Sequence, residues 1–293
     1  MNSGSTGAAG NRDSGRRLLC SIAHPDDETF GSGSTLIKYA SEGASVFTAC
    51  ATRGDVGEIA EGADATPETL SAVREQEYYN AGKVLGVQQS ILYGYRDSGM
   101  GGTPDNDHPN AYIQAPMDEV VAKIVDTIRE LKPQVVITFD EGGGYGHPDH
   151  IRASEATKMA YFAAGDPSYS GSTLTPWKVS KFYYQGFLRS IMSAWIAAEG
   201  KRDPNSGFAK IDPEQMGVPD DDMTASLDVS MYVDTRTKAV KEHKTQASPF
   251  DRMPTPELAT RFMSTDYFIR IDPPITENES GITEHDLFEG LDI

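Results

Sequence analysis

The chain has 293 residues, of which 38% are hydrophobic, so it can bury a substantial core and is not a disordered protein. Its formal net charge of −18 at pH 7 repels phosphate backbones and anionic lipid surfaces, which argues against nucleic acid and membranes as partners. No stretch has the apolar length needed to span a bilayer. The two cysteines, Cys20 and Cys50, follow no secretory signal and predict reduced, buried thiols in a cytoplasmic protein.

In chain order, the pattern predicts strands that alternate with helices. Residues 1–16, rich in Gly, Ser and Asn, predict a disordered extension. Residues 17–23 predict the first strand, residues 29–42 a helix and residues 46–50 the second strand. The later predicted elements are a helix from Thr66-Pro67 to Leu85, a strand at 91–93, a helix at 116–131, a strand at 134–139, a helix after Pro148, a strand at 181–184 and a helix at 235–246.

Short apolar strands between amphipathic helices indicate an α/β fold with a Rossmann-like, mostly parallel sheet in the order 3-2-1-4-5, flanked by helices. Residues 17–190 are predicted to form the core. Residues 191–293 are predicted to form a less regular C-terminal extension that packs on the core and ends in an acidic tail. No Gly-x-Gly-x-x-Gly follows the first strand, which argues against a dinucleotide ligand.

Two clusters of histidine and aspartate follow the first and fourth predicted strands. They are Ala23-His24-Pro25-Asp26-Asp27-Glu28 and Gly146-His147-Pro148-Asp149-His150. The strand order makes these strands neighbours, and ligands of such sheets bind beyond the carboxyl ends of the strands. A catalytic zinc takes three protein ligands from imidazoles and carboxylates and keeps one open position. Either cluster alone suits a helix cap or a turn, but the pair predicts a metal site.

The same segments resemble the LmbE-like, or PIG-L, family of zinc deacetylases, with further matches at residues 71–77, 96–100, 142–145 and 176–189. Residues 17–190 would then form the catalytic core, similar to mycothiol-pathway deacetylases and to mycothiol S-conjugate amidase. The resemblance implies that His24, Asp27 and His150 bind zinc. Ferrous iron also suits two imidazoles and a carboxylate.

The resemblance further implies roles for the other polar residues of the site. Asp26 would act as general base on a metal-activated water. Tyr145 would donate a hydrogen bond to the developing oxyanion. His147, if protonated, would steady the same charge and protonate the leaving amine, and Asp149 would orient His147.

Four more residues are predicted to contact the substrate. Arg74 and Asp97 suit charge-assisted hydrogen bonds to sugar hydroxyls, with a structural ion pair as the alternative. Glu58 lies in the loop after the second strand and points toward the same edge. Met100 suits packing on a sugar face or filling a gap in the core.

Three residues have less definite roles. Glu28 suits a position at a helix start or behind the metal ligands rather than in the ligand set. His243 and Gln246 lie within one helical turn of each other and would either close the pocket or belong to a plain surface helix.

The predicted function is a zinc-dependent hydrolase that removes an N-acyl group, acetyl, from a glucosamine-type amide of a small amino-sugar conjugate. The nearest alternative is an amidase of the mycothiol S-conjugate type, which cleaves a cysteinyl-glucosaminyl amide. Residues 176–189 favour the amidase, whereas the lack of a lysine in residues 29–33 favours the deacetylase. A non-catalytic metal-dependent sugar-binding protein is a third hypothesis, and a homo-oligomer is left open.

Overall fold

The computed structural model describes residues 14–204, 212–248, 250, 253, 255–276 and 281–293. Most of the predicted disordered extension, residues 1–16, therefore lies outside the described residues. Ser14 donates hydrogen bonds from its backbone N–H and its hydroxyl to the carbonyl oxygen of Gly43, both at 3.1 Å. This contact fixes the start of the described chain beside the turn that precedes the second strand.

Strands and helices alternate through the core, as the sequence predicts. The strands are β1 (Arg17–Ile22), β2 (Ser45–Thr52), β3 (Gln89–Tyr95), β4 (Val135–Phe139), β5 (Lys181–Gly186), β6 (Ala225–Asp228) and β7 (Thr265–Asp272). The α-helices are α1 (Asp27–Phe30), α2 (Gly33–Ser41), α3 (Leu70–Leu85), α4 (Met117–Leu131), α5 (Gly143–Gly146), α6 (Pro148–Gly165), α7 (Arg189–Arg202), α8 (Val233–Val240) and α9 (Pro256–Ser264). Within the described ranges, none of these helices combines the length and apolar character needed to cross a bilayer.

The strands form one sheet in the order β3-β2-β1-β4-β5-β7-β6. The pairs from β3 to β5 are all parallel, which confirms the predicted α/β fold and the order 3-2-1-4-5. β7 runs antiparallel to β5, and β6 runs antiparallel to β7. The sequence indicates neither extra strand, because β6 has four residues and β7 mixes apolar with charged residues.

The central strands are buried on both faces. Every residue of β4 and all but the first residue of β1 are buried. α4 packs with the apolar face that its period predicts, Val120, Val121, Ile124 and Ile128. Because these strands are buried except at Arg17, the polar residues that follow them are held at the rigid edge of the sheet.

α3 begins later than the sequence predicts. Leu70, Tyr78 and Leu85 are buried, but the first helical residue is Leu70 and not the residue after Thr66. The Thr66 hydroxyl donates to the Glu68 carboxylate at 2.7 Å. The start of α3 at Thr69 has no capping hydrogen bond from a side chain.

The single helix predicted over residues 29–42 is divided into α1 and α2. Arg236 of α8, which is completely buried, donates to the carbonyl oxygens of Thr29, Phe30 and Gly31 at 2.8, 2.6 and 2.8 Å. These carbonyls would otherwise bond to later N–H groups of a continuous helix. A distant part of the chain thus ends α1.

The described part of the C-terminal extension joins the same sheet. Besides supplying β6 and β7, it places the Glu284 carboxylate 2.5 Å from Lys181 Nζ and 2.9 Å from Arg270 Nη1. Asp286 accepts a hydrogen bond from the Tyr39 hydroxyl at 3.0 Å. These buried and half-buried contacts tie residues near the end of the chain to β5, β7 and α2.

Candidate active site

The two histidine–aspartate clusters meet at one edge of the sheet. His24 and Asp27 follow β1, and His150 follows β4, which is the parallel neighbour of β1. Parallel strands end at the same edge, so residues 126 positions apart in the chain come together there. The ring centroids of His24 and His150 are 5.1 Å apart.

The three predicted metal ligands form a compact triangle, with the two carboxylate oxygens of Asp27 together at one corner. His24 Nδ1 lies 3.1 Å from His150 Nε2 and 3.6 Å from Asp27 Oδ2, and His150 Nε2 lies 3.4 Å from Asp27 Oδ1. A zinc ion at about 2.0–2.2 Å from imidazole nitrogens and carboxylate oxygens requires separations of this size between its ligands. All three side chains are buried. The residues therefore fit a single divalent cation.

Hydrogen bonds on the outer sides of the two rings fix the tautomer of each imidazole. His150 Nδ1 lies 3.1 Å from the carbonyl oxygen of Gly143, so Nδ1 carries the proton and Nε2 the lone pair. His24 Nε2 lies 3.2 Å from Asp149 Oδ2, which places the proton on Nε2 and the lone pair on Nδ1. Two lone pairs thus face each other at 3.1 Å, and a cation or an added proton removes the repulsion. Carbonyl and carboxylate partners orient metal-binding imidazoles in the same way.

The charges around His24 favour a positive charge at this position. Burial by itself lowers the pKa of His24, but Asp97, Asp149 and Asp27 outweigh burial and raise it well above its ordinary value. Burial raises the pKa of Asp27, yet His150 and His24 hold that pKa well below its usual range. Asp27 is therefore ionised, and the buried site carries an excess of negative charge that suits a divalent cation.

Asp149 has a different partner from the one that the sequence predicted. Its carboxylate accepts from His24 Nε2 at 3.2 Å and from the Ser98 backbone N–H at 2.9 Å. The predicted partner, His147, receives instead the backbone N–H of Asp149, at 3.2 Å. Asp149 lies in the first turn of α6. Its side chain therefore points toward His24, which follows β1, while its backbone N–H points toward the preceding residue His147.

Asp97 also lies against His24. Its Oδ1 is 3.6 Å from His24 Nε2 and accepts the Gly99 backbone N–H at 2.8 Å. The carboxylate borders the cavity described below, so it is placed both to orient His24 and to meet a ligand. The contact with a ligand was predicted from the sequence, but the contact with His24 was not.

The Asp26 carboxylate pairs with Arg74 and borders the same cavity as the predicted metal ligands. Arg74 Nη2 lies 3.1 Å from Asp26 Oδ2, and the guanidinium also donates to the carbonyl oxygens of Pro25 and Gly54 at 2.6 and 3.1 Å. The ion pair considered for Arg74 is thus present, although its side chain also borders the cavity. Burial raises the pKa of Asp26 to about 7, although Arg74 lowers it. Such a carboxylate can accept and return a proton near neutral pH.

His147 is a neutral hydrogen-bond donor near pH 7. Burial and the imidazoles of His24 and His150 lower its pKa to about 4. Its Nδ1 accepts the Asp149 backbone N–H at 3.2 Å, which leaves the proton on Nε2. The protonated form that the sequence-based hypothesis considered is therefore the minor form, and the ring offers an N–H to the cavity that it borders.

Tyr145 lies in the short helix α5 and faces the same cavity. Gly143 and Gly144 precede it with φ of 65° and 75°, which L side chains rarely adopt. The ring centroid of Tyr145 is 5.0 Å from that of His150, and the residue is 47% exposed. The backbone turn thus places a half-exposed tyrosine beside His150.

Gly143→Ala is expected to weaken metal binding about 10–100-fold, the usual effect of disturbing a group that orients a ligand. A Cβ at Gly143 would lie 2.7 Å from His150 Cβ and 2.9 Å from the Ile151 nitrogen. Gly146→Ala is the matched control, because Gly146 also has positive φ but no atom within 4 Å of such a Cβ. Calorimetric titration of metal-free protein with Zn²⁺ compares the two, and equal affinities would contradict the assigned role of Gly143.

The site opens into a cavity of about 1560 Å³. The side chains predicted to contact substrate all border this cavity, namely Arg74, Asp97, Glu58 and Met100. An apolar part of the wall was not predicted; it is formed by Phe187, Met192, Trp195, Phe250 and Phe262. These residue types also fill protein cores, so their positions in the sequence carry no signal for a ligand site.

His243 and Gln246 lie beyond the end of α8, in turns and not in the predicted helix. Gln246 borders the cavity, and its Nε2 donates to the Glu58 carbonyl oxygen at 3.3 Å. His243 is buried, with Nε2 2.6 Å from Glu28 Oε1. Glu28 in turn lies behind the predicted metal ligands.

The chain is similar in sequence to known deacetylases. Residues 19–161 match PIG-L, the GlcNAc-PI de-N-acetylase family. A 1D-myo-inositol 2-acetamido-2-deoxy-alpha-D-glucopyranoside deacetylase from Geodermatophilus obscurus is 38% identical, over 94% of this chain and 98% of its own length.

Solved structures share the fold at lower identity. The N,N'-diacetylchitobiose deacetylase of Pyrococcus horikoshii has a TM-score of 0.62 at 20% identity, over 87% of this chain and 84% of its own. The 4-carboxy-2-hydroxymuconate hydratase of Pseudomonas putida has a TM-score of 0.61 at 16% identity, over 90% and 99% of the chains. The fold alone thus does not fix the reaction. The 38% identity over nearly the whole chain does fix the family, and the protein is an enzyme that belongs to the PIG-L family of de-N-acetylases.

Proposed function

We propose that this enzyme hydrolyses the acetamide of a 2-acetamido-2-deoxyglucosyl inositol and releases acetate and the free amine. The observation that carries the proposal is the pair of imidazole nitrogens 3.1 Å apart, with the ionised Asp27 facing both and Asp26 bordering the same cavity. The named activity of the 38% identical relative supports the choice of substrate. Cys20 and Cys50 are free and buried, which supports a cytoplasmic location.

We assign a divalent metal to His24, Asp27 and His150, with zinc or ferrous iron as the ion that suits this donor set. When bound, the metal would polarise the amide carbonyl and lower the pKa of the attacking water. The two imidazoles need their present tautomers to act as ligands, and the Gly143 carbonyl and the Asp149 carboxylate hold those tautomers.

The residues of the chain supply the proton transfers. Asp26 accepts a proton from water as the water oxygen bonds to the amide carbon. His147 Nε2–H and the Tyr145 hydroxyl donate hydrogen bonds to the carbonyl oxygen as it becomes negative. Asp26 then returns the proton to the nitrogen as the C–N bond breaks. One carboxylate serves both steps, because His147 is neutral near pH 7 and its N–H is too weak an acid to protonate the amine.

Substrate recognition is assigned to the side chains that border the cavity next to Asp26 and His24. Arg74, Asp97 and Glu58 offer charged groups to sugar and inositol hydroxyls. Met100, which is 49% exposed, offers an apolar surface to a sugar face.

The metal-loaded enzyme is expected to release amine from 2-acetamido-2-deoxyglucosyl inositol with a kcat/KM at least about tenfold above that for the matching N-cysteinyl amide. Fluorescent detection of the free amine measures both, and N-acetylglucosamine without inositol tests the contribution of the inositol contacts. The reverse preference would identify a conjugate amidase. No amine from any of the three compounds would contradict the proposed function.

A further inference from the structure

Asp26 has a backbone conformation that its surroundings must hold in place. Its φ of 129° and ψ of −28° lie in a region that residues other than glycine rarely adopt. Its carbonyl oxygen accepts the backbone N–H groups of Thr29 and Phe30, both at 2.9 Å. Its own N–H donates to Glu28 Oε2 at 3.0 Å. The Glu28 carboxylate is thus one of the groups that keep this conformation.

Glu28 is held in turn by a residue far away in the chain. Its second oxygen, Oε1, lies 2.6 Å from His243 Nε2, and both side chains are completely buried. His243 Nδ1 is buried without a hydrogen-bond partner among the described residues. Burying such a nitrogen is costly, so an apolar side chain would pack here at lower cost. The imidazole, unlike an apolar side chain, forms the hydrogen bond to Glu28.

The segment that carries His243 is anchored independently of this bond. Thr245 donates to the buried Glu77 carboxylate from its backbone N–H at 2.9 Å and from its hydroxyl at 2.5 Å. Arg236 donates to three carbonyl oxygens at the end of α1. The backbone near residue 243 therefore has other contacts that keep it in place when the imidazole is removed.

We propose that His243 is a positioning residue for Asp26, acting through Glu28. His243 fixes the Glu28 carboxylate, and Glu28 fixes the backbone N–H of Asp26, so that the Asp26 carboxylate stays where it can accept the proton of the attacking water. The kinetic consequence rests on the proposed function, whereas the structural link to Asp26 does not. A displacement of about 1 Å at a reacting group can cost about 10²-fold in rate.

The test compares His243→Leu with His243→Gln, which can still donate to Glu28, and with Thr245→Val, which removes the hydroxyl contact to Glu77. We expect His243→Leu to lower kcat about 10–100-fold with little change in KM or zinc affinity. His243→Gln should restore most of kcat, and Thr245→Val should lower thermal stability without lowering kcat. Hydrogen exchange measured by mass spectrometry should rise in residues 24–30 of His243→Leu alone.

Two results would overturn the proposal. One is wild-type kcat and unchanged exchange of residues 24–30 in His243→Leu. The other is an equal loss of kcat in Thr245→Val, which would mean that the segment acts only by packing. If the leucine variant does not fold, His243→Asn, too short to reach Glu28, replaces it. Wild-type protein that releases no amine would refute the proposed function, while the exchange data would still decide the link between His243 and Asp26.

Discussion

Replacing Asp26 by asparagine is expected to lower kcat about 10²–10⁴-fold, the contribution of a well-placed acid–base group. The amide oxygen has the same shape and can keep the hydrogen bond to Arg74, which is 3.1 Å long in the wild type, but it cannot take up a proton. Because the ionised form of Asp26 is the active one, wild-type kcat/KM should fall as the pH drops below the pKa of Asp26. That acid limb should be missing from the residual activity of the variant. Acetate release measured on both sides of neutral pH tests this.

The loss should not come from the metal site, because Asp27, and not Asp26, faces the two imidazoles. Calorimetry should therefore show one zinc bound with nearly unchanged affinity. Asp107→Asn, which removes an exposed carboxylate of the loop near Met100, is the charge-matched control and should keep wild-type kcat. If Asp26→Asn binds zinc and turns over at the wild-type rate, another group is the base.

Removing the metal is expected to abolish turnover and to lower the melting temperature. The two imidazole nitrogens and the buried Asp27 carboxylate that would hold the cation lie within 3.6 Å of one another. A ligand that binds only the folded state stabilises it by about 2.7 kcal/mol at a free concentration of 100 times Kd. The melting temperature should thus rise with free Zn²⁺ and fall again on chelation, and reloading should restore activity.

Two histidine variants test where the cation that raises the melting temperature binds. His150→Ala removes a ligand atom of the triangle and should abolish the zinc-dependent rise in melting temperature. His285→Ala removes an exposed imidazole that contacts Ser226 and should leave the rise unchanged. Equal rises in both variants would place the stabilising cation elsewhere in the molecule.

The order of the five parallel strands could be predicted because the two central strands, β1 and β4, are nearly continuous apolar runs and polar turns follow both. The two later strands could not be predicted. β6 is four residues long, and β7 is stabilised by pairing with β5 more than by its own pattern. The division between α1 and α2 could not be predicted for a similar reason. The residue that ends α1 is Arg236, about two hundred positions away in the chain.

The motifs alone were enough to predict a donor set for the site. Two histidine–aspartate turns at neighbouring strand ends suffice to predict which residue types meet there, since topology alone brings them to one edge. The use of those donors depends on contacts that form only in the folded chain. It placed the Asp149 carboxylate on His24, left Asp26 paired with Arg74, and fixed the tautomer of His150. These outcomes depend on ring orientation and on atoms from distant segments approaching within a few ångströms, and no local periodicity encodes either.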